Sequence, residues 1–505
     1  MISIFICERR KYSFENLQEM VAGAHANLRD VLRQLKTKGI VKIVKKDADE
    51  SNLNDLTNEG SETDEITGNG VYVFTYIGII AVKDIILKCY PKYIKSEPKP
   101  LKQLKQVLKV IERYDSQTQK LNLYGDVGDK TTFNKLPLML FLLKDYYDNG
   151  LYSSNKNTVD INGRGEILWN KTINSTFAYI DQDEPYYPVM YTRRHITDER
   201  DYFRRLHACL LSMISNELEN TGLAELLDIA GVLLADENLE DLGNIADIIY
   251  KLDREIDVQF NTRKKLLLRA MASYIMNSEA IADDNNSVSL FGTTSFDMVW
   301  EDVCGEVLGN ERNSPLRTLD LPEPLHEEYD TEANLLSVIA YPAWHGLKPD
   351  GSHFVKMAGS TLIPDFLKIG FINGKSVFVI LDAKYYNLQF SENKKLSGQP
   401  GIESVTKQYL YDLAYREFMW EHNIETVSNC FLFPTEELEI VERGYVNLKF
   451  LSMLGLANIA VRLIPATKLY DYYLSSRKMS IGELNLPTES TKGQLYTIWM
   501  ENKKA

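Results

Sequence analysis

The chain has 505 residues, 44% of them hydrophobic and 25% charged, a soluble globular composition that is too long for one ordinary core and leads us to expect two to four domains. A net charge of −14 has the wrong sign for a protein that coats nucleic acid regardless of sequence, and no apolar run approaches the ~18 residues of a membrane span. Five cysteines (Cys7, Cys89, Cys209, Cys304, Cys430) lie far apart without a C-x-x-C pair, which argues against a zinc ribbon or disulfide framework and fits a reducing cytoplasm.

The opening MISIFICERRKYS puts charges directly after a very short apolar run, so no signal peptide is expected. Ser13 is a suitable N-cap for a helix near Ser13–Ala22, and a second helix near Ala24–Lys38 ends at Gly39 before the strand IVKIV. Helix, turn, basic helix and strand outline a winged helix whose Arg29, Arg33, Lys36 and Lys38 could meet phosphates. A small helical module for protein contacts, with the same basic face turned to solvent, fits the pattern as well. Residues 47–70 are acidic and rich in Gly, Asn, Ser and Thr, which reads as a linker closing a first segment, 1–66.

The stretch VYVFTYIGIIAVKDIILKCYPKYI alternates like paired strands and is closed by Pro91; LKQLKQVLKVIERY then reads as an amphipathic helix with a solvated lysine face. In DINGRGEILWNKTI, glycines flank Arg164, so a tight loop would project that arginine. These residues, 67–199, form an α+β region, and 200–285 read as a helical connector. From about Ser295 the pattern becomes helix, long loop, strands, helix, strands, which predicts a separate α/β domain over 286–505.

That last domain carries the chemistry. Val377–Leu381 is an unbroken apolar run, a strand buried on both faces, yet Asp382-Ala383-Lys384 follows at once. A charge at the edge of a core needs compensation. Asn373-Gly374 is a strong two-residue hairpin signal, and a two-residue turn sets residue 372 opposite 375 and Asp365 opposite Asp382. Their Cβ atoms would then lie roughly 5 Å apart on one face, with Lys384 on that same face by strand alternation. Two such carboxylates repel unless a proton or cation intervenes, and hard oxygen ligands suit Mg²⁺ or Mn²⁺ better than zinc. The plainer alternative is a surface hairpin with an ordinary Asp–Lys pair.

Upstream, Phe296, Val299, Trp300, Val303, Cys304, Val307 and Leu308 make one apolar helix stripe; Asp297 and Glu301 lie on one shoulder and Glu306 on the other, so spacing does not choose among them. Downstream, VTKQYLYDLAY (405–415) predicts a helix in which Lys407 and Gln408 could reach the site or the backbone, while Tyr409, Tyr411 and Tyr415 pack; CFLFP follows as a core strand. The run 370–376, GFINGKS, is one residue short of a P-loop and precedes a strand rather than a helix, which rules it out. His326, His345 and His353 have no helical metal spacing and are expected to be satisfied structural histidines.

Pro364-Asp365 followed by Asp382-x-Lys384 resembles the PD-(D/E)XK nuclease signature. That resemblance implies that Asp365 and Asp382 hold Mg²⁺ or Mn²⁺ with the backbone carbonyl of Ala383. Lys384 would orient or deprotonate the attacking water and stabilise charge on the phosphate. Glu301, after Trp300, best resembles the aromatic–acid pair on the first core helix of such nucleases. Gln408 resembles a supporting residue there, although Asp412 stands where a tyrosine is usual. GIIAVKDIILKCYPKYI and NGRGEILWNKTI also resemble the LlaJI restriction endonuclease family, relatives of McrC, from about residue 70 onward. The implied architecture is multidomain α+β: a winged-helix-like module, a β-rich partner-binding region, a helical connector and a restriction-endonuclease-like α/β domain. The implied function is the nuclease subunit of a two-component restriction system that cuts double-stranded DNA with an McrB-like AAA+ GTPase ring, toward which Arg164 is a candidate contact. A stand-alone structure- or end-specific nuclease and a catalytically inert DNA-binding adaptor are the competing readings.

Overall fold

The structure, a computed structural model, describes residues 2–45, 70–82, 85–124, 135–153, 155–181, 184–197, 201–220, 222–282, 288–372, 374–451 and 454–504. The acidic linker and Asn373 of the predicted turn lie outside them. Compactness divides the chain into two units: Met1–Ile80, Asp84–Gln119 and Gly292–Ala505 in the first, Ala81–Lys83 and Lys120–Phe291 in the second. The amino-terminal module and the carboxy-terminal domain therefore share a unit, a grouping that composition does not disclose.

The chain opens with β1 (Ile2–Cys7), then β2 (Lys11–Tyr12), α1 (Phe14–Met20), α2 (Leu28–Thr37), β3 (Val41–Lys45) and β4 (Gly70–Phe74). Ser13 caps α1 by accepting from the Asn16 amide, as its sequence position predicts. The second helix starts four residues later than expected because Asn27, not a residue near Ala24, caps it. Strands β2, β4 and β3 pair antiparallel in that order, so the segment beyond the acidic linker completes the small sheet under the two helices. Strands β5 (Ile77–Val82) and β6 (Ile85–Tyr90) follow, and β1 pairs in parallel with β6. The short apolar opening is thus a core strand. The helix predicted after it is α3 (Leu101–Tyr124), which buries Leu104, Val107, Leu108, Val110 and Ile111 on its apolar stripe.

In the second unit, α4 (Lys135–Asn149) precedes β7 (Asn155–Ile161), β8 (Glu166–Ile167), α5 (Trp169–Ser175), β9 (Tyr179–Asp181), β10 (Glu184–Tyr186) and β11 (Tyr191–Thr197). Strand β11 lies between β7 and β8, and β9 and β10 form a separate hairpin. The helical stretch contains α6 (Tyr202–Asn220), α7 (Leu223–Leu227), α8 (Leu239–Leu242), α9 (Ile245–Val258) and α10 (Thr262–Ala282). Strand β12 (Val288–Thr293) returns the chain to the first unit.

There α11 (Phe296–Leu308) buries all seven residues of its predicted stripe. A loop with the short α12 (Leu335–Val338) and an exposed hairpin, β13 (Ala343–Leu347) with β14 (His353–Met357), leads to the main sheet. That sheet uses β15 (Phe366–Ile372), β16 (Lys375–Ala383), β17 (Thr426–Thr435), β18 (Val441–Val446) and β19 (Ile459–Pro465) in the order β15-β16-β17-β19-β18, and β20 (Glu489–Ser490) adds to β17. The β16–β17 and β17–β19 pairs are parallel; the outer pairs are antiparallel. Parallel neighbours require crossovers, supplied by α13 (Ile402–Ala414) and α14 (Arg416–Glu421) between β16 and β17. Helices α15 (Ala466–Leu474) and α16 (Gln494–Lys504) complete the chain.

The core of this domain packs Phe378 and Ile380 of β16 with Leu367 and Ile369 of β15 and with Tyr411, Tyr415 and Phe418. The tyrosines expected to pack do so. Asp412 is fully buried beside them, and its carboxylate accepts from Arg416 Nε at 2.6 Å and Nη2 at 2.9 Å. His345 and His353 depart from expectation: both lie exposed on the β13–β14 ribbon, because that hairpin stands clear of the core.

Candidate functional site

Strands β15 and β16 pair Ile372 with Lys375 and Phe366 with Leu381, the register dictated by a two-residue turn, and Gly374 adopts the left-handed φ of +77° that the turn requires. One step beyond the last pair are Asp365 and Asp382. Alternation along β16 sets Asp382 on the side of Phe378 and Ile380, and its backbone is fixed on the other edge by the parallel pairing to Phe431 of β17. The result is a carboxylate only 5% exposed at the end of a fully buried strand.

Two groups act on that charge. Lys384 Nζ lies 2.8 Å from Asp382 Oδ1. Asp365, one step beyond the last strand pair, faces it with a second carboxylate. Burial pushes the Asp382 carboxyl up to about 7; Lys384 pulls against this, and the negative charge of Asp365 adds to it. Burial alone would lower the Lys384 ammonium, but the two aspartates outweigh it and raise it above its ordinary value. Burial and the same two acids lift the Tyr411 phenol to about 12, and its hydroxyl donates to the Ile363 carbonyl at 3.0 Å, which fixes the approach to Asp365.

Among the three candidate acids of α11, Asp297, Glu301 and Glu306, the surroundings now differ. Glu301 opens onto a cleft of about 520 Å³ that Asp365 also lines. Burial first, then the charge of Asp365, raises its carboxyl to about 7. Glu306 is engaged by the Arg113 guanidinium, and Asp297 is exposed. Glu301 is therefore the acid that shares the field of the aspartate pair. Lys407 is exposed on α13. Gln408 is fully buried, and neither Oε1 nor Nε2 has a hydrogen-bond partner, so the structure does not join it to the acids. Its backbone carbonyl instead accepts from Asn429 Nδ2 at 3.0 Å. Arg164 sits exposed in the loop between β7 and β8, in the second unit.

Two residues that sequence reasoning missed hold the first aspartate. Asn310 Nδ2 donates to the Asp365 carbonyl at 2.8 Å, and its Oδ1 accepts from the Leu367 amide at 3.1 Å. Arg312 Nη1 donates to the carbonyls of Pro364 at 3.1 Å and Asp365 at 3.2 Å. The signal was the Gly309-Asn310 pair after α11: Gly309, with φ +74°, ends the helix and turns Asn310 toward the strand.

Among the described residues no group of three or more His, Cys, Asp or Glu is placed to hold a metal ion. The carboxylate pair nonetheless has the donor chemistry of a magnesium site, because that ion keeps several waters and takes one or two protein carboxylates. The five cysteines are buried and form no disulfide, and among the described residues no helix is long and apolar enough to cross a membrane.

The domain is mixed α/β, and its adjacent strands end in two aspartates beside a lysine. The chain belongs to the LlaJI restriction endonuclease family, which it matches over residues 76–464. It is similar to the Type II restriction enzyme BsuMI component YdjA of Bacillus subtilis, with 26% identity over 425 residues, 82% of this chain and 84% of that one. A solved assembly of Thermococcus gammatolerans McrB AAA+ hexamers with bound McrC contains a chain covering 94% of this one at 14% identity, with a TM-score of 0.37. The McrBC complex of the same organism gives 15% identity over 54% of this chain, with a TM-score of 0.23. Both scores are too low to bear on the fold.

Proposed function

We propose that this chain is the nuclease subunit of a two-component restriction system, cutting phosphodiester bonds of double-stranded DNA in the cytoplasm with an AAA+ GTPase partner. The observation that carries the reading is the placement of Asp365 and Asp382 one step beyond the Phe366–Leu381 pair of β15 and β16, with Lys384 Nζ 2.8 Å from Asp382. Membership of a restriction endonuclease family supports the reaction class.

The chain's own groups divide the work. Asp365 and Asp382 present oxygens on one face, held rigid by the Asn310 and Arg312 clamp on one strand and by β17 behind the other. Lys384, ion-paired with Asp382, is a fixed cation, suited to hold a phosphate oxygen and to stabilise the charge that builds there. This favours charge stabilisation over proton abstraction for the lysine. Glu301 faces the cleft beside Asp365 and would accept a proton from, or orient, the attacking water. Mg²⁺ or Mn²⁺, held by Asp365, Asp382 and the Ala383 carbonyl with Glu301 beside them, would supply Lewis-acid charge against the phosphate. Gln408 has no direct part in this scheme.

The partner-facing region fits the second unit. Trp169, Ile173, Phe177, Tyr179, Ile180 and Tyr186 are all more than half exposed around α5 and the β9–β10 hairpin, an apolar surface of the kind that marks protein contacts. Together with Arg164 in the adjoining β7–β8 loop, it is the proposed contact for the GTPase ring.

The test is cleavage of plasmid DNA in Mg²⁺ by the full chain, alone and with its GTPase and GTP. Asp382→Asn and Lys384→Ala should each lower cleavage by about 10³-fold or more while circular dichroism stays unchanged. Undiminished cleavage by either variant would refute the assignment. Full cleavage without partner or GTP would favour the stand-alone nuclease.

A further inference from the structure

A second cavity, about 340 Å³, is lined in part by Asn387, three residues after Lys384, and plays no part in the scheme above. Three separate stretches wall it: the β1–β2 turn with Arg9 and Arg10, the segment after β6 with Lys92 and Lys95, and the segment after β16 with Asn387 and Gln389. In a chain of net charge −14, four cations converge on one cleft. Its two acids are Glu8 and Glu97. Glu8 is already committed: it is 4% exposed, accepts the Tyr385 hydroxyl at 2.7 Å and the Lys92 amide at 3.4 Å, and lies 3.6 Å from Arg9 Nε. Outside the lining, Glu436 accepts the Lys95 amide at 2.9 Å, so the four cations face three acids and the cleft keeps an excess of one positive charge.

The walls are built. Arg9 holds a left-handed φ of +57°, a conformation that costs a non-glycine residue ~1 kcal/mol or more, and its amide donates to the Phe74 carbonyl at 2.8 Å. Lys92 is 7% exposed, with Nζ 4.5 Å from the centre of the Tyr385 ring. Gly398 permits the third wall: with φ +67°, a Cβ there would come 2.2 Å from the Asn387 carbonyl oxygen. The Gln389–Ser397 pair, closed by a 2.8 Å bond from the Gln389 amide, fixes the same loop.

Position supplies the ligand. Tyr385 links Lys384 to Glu8, and Asn387 is three residues beyond Lys384, at most ~11 Å of chain. That is about three steps of a nucleic-acid strand at ~3.4 Å each. We infer that this cleft binds a backbone phosphate of the DNA strand that flanks the scissile bond, with Arg9, Arg10, Lys92 and Lys95 as its cations and Asn387 and Gln389 as neutral donors. The inference rests on the nuclease reading and adds to it a track that carries the strand from the centre toward the amino-terminal module.

The experiment measures fluorescence anisotropy of a labelled duplex with the full chain, Ca²⁺ replacing Mg²⁺, across a series of KCl concentrations. The double variant Arg10→Glu/Lys95→Glu should bind at least about tenfold more weakly, and its log K against log salt should flatten by about 1, the counterion release tied to the one phosphate the cleft holds. Arg10→Ala/Lys95→Ala, a milder change at two exposed positions, should move both quantities the same way with an unaltered melting temperature. Gly398→Ala should weaken binding by displacing the Asn387 wall. Affinity and salt slope equal to wild type in both double variants would overturn the inference, and the nuclease reading would stand if those variants still cut. A wild-type chain that binds no duplex would sink both. Inorganic phosphate or GTP competing for the cleft while duplex affinity stays unchanged in the variants would mark a free-anion site and overturn the DNA assignment. Loss confined to partner-stimulated cleavage would make the cleft a protein contact and overturn it too.

Discussion

Asp365 and Asp382 stand opposite each other one step beyond the last pair of two antiparallel strands, and Lys384 Nζ lies 2.8 Å from the Asp382 carboxylate. The ammonium thereby offsets part of the repulsion between two neighbouring acids. Much of the behaviour of the metal-free protein follows from that arrangement.

In the absence of divalent ions, stability should fall as pH rises from about 4 to about 7 and then level off. Asp382 and Glu301 both hold their protons to about 7 in the folded chain, from ordinary values of 3.8 and 4.5. The unfolded chain releases those protons at lower pH, so through this window it binds fewer than the native state, and rising pH favours unfolding. Urea melts in EDTA at pH 4.5, 6 and 8 read this directly. Asp382→Asn should flatten the profile; an equally steep profile in that variant would contradict the assigned origin.

Asn310→Ala should cost roughly 1–3 kcal/mol, because it leaves the Asp365 carbonyl and the Leu367 amide without their side-chain partner. It should also depress cleavage by more than the stability loss explains, since the strand carrying Asp365 loses its clamp. Comparing kcat well below the melting temperature with a surface control of equal stability separates the two effects. Cleavage equal to that control would mean that the clamp serves the fold alone.

Gln408→Leu should stabilise the chain by about 1 kcal/mol, because a fully buried amide without hydrogen-bond partners is replaced by an apolar side chain of similar size. Cleavage should persist. A large fall in kcat with raised or unchanged stability would instead place the amide in the reaction, where the resemblance to related nucleases had put it.

At the proposed partner surface, Phe177→Asp/Ile180→Asp should leave the melting temperature within about 2 °C, since both side chains are more than three-quarters exposed. Binding of the GTPase ring, followed by analytical ultracentrifugation or pull-down of the purified pair, should drop by about tenfold or more. An unchanged association would remove this face from the interface. Arg164→Ala tests the adjoining loop and should lower the partner's GTP hydrolysis more than its binding.

The register of the β15–β16 hairpin was legible in the sequence because a two-residue turn fixes strand parity, and parity alone decides which residues face each other. The apolar run ending in Asp382 and Lys384, the seven-residue stripe of α11 and the resemblance to a restriction endonuclease family are likewise local properties of the chain. Glu301 was singled out by resemblance alone; seeing that it lines a cleft with Asp365, that the Gln408 side chain lacks a hydrogen-bond partner, and that Asn310, Arg312 and the Arg9–Lys95 cleft exist required tertiary structure. Each depends on residues brought together across tens to hundreds of positions, as Glu8 meets Tyr385. Periodicity records which face of an element is buried; it carries no record of what lies against that face, since side-chain contacts are set by the packing of elements distant in the chain.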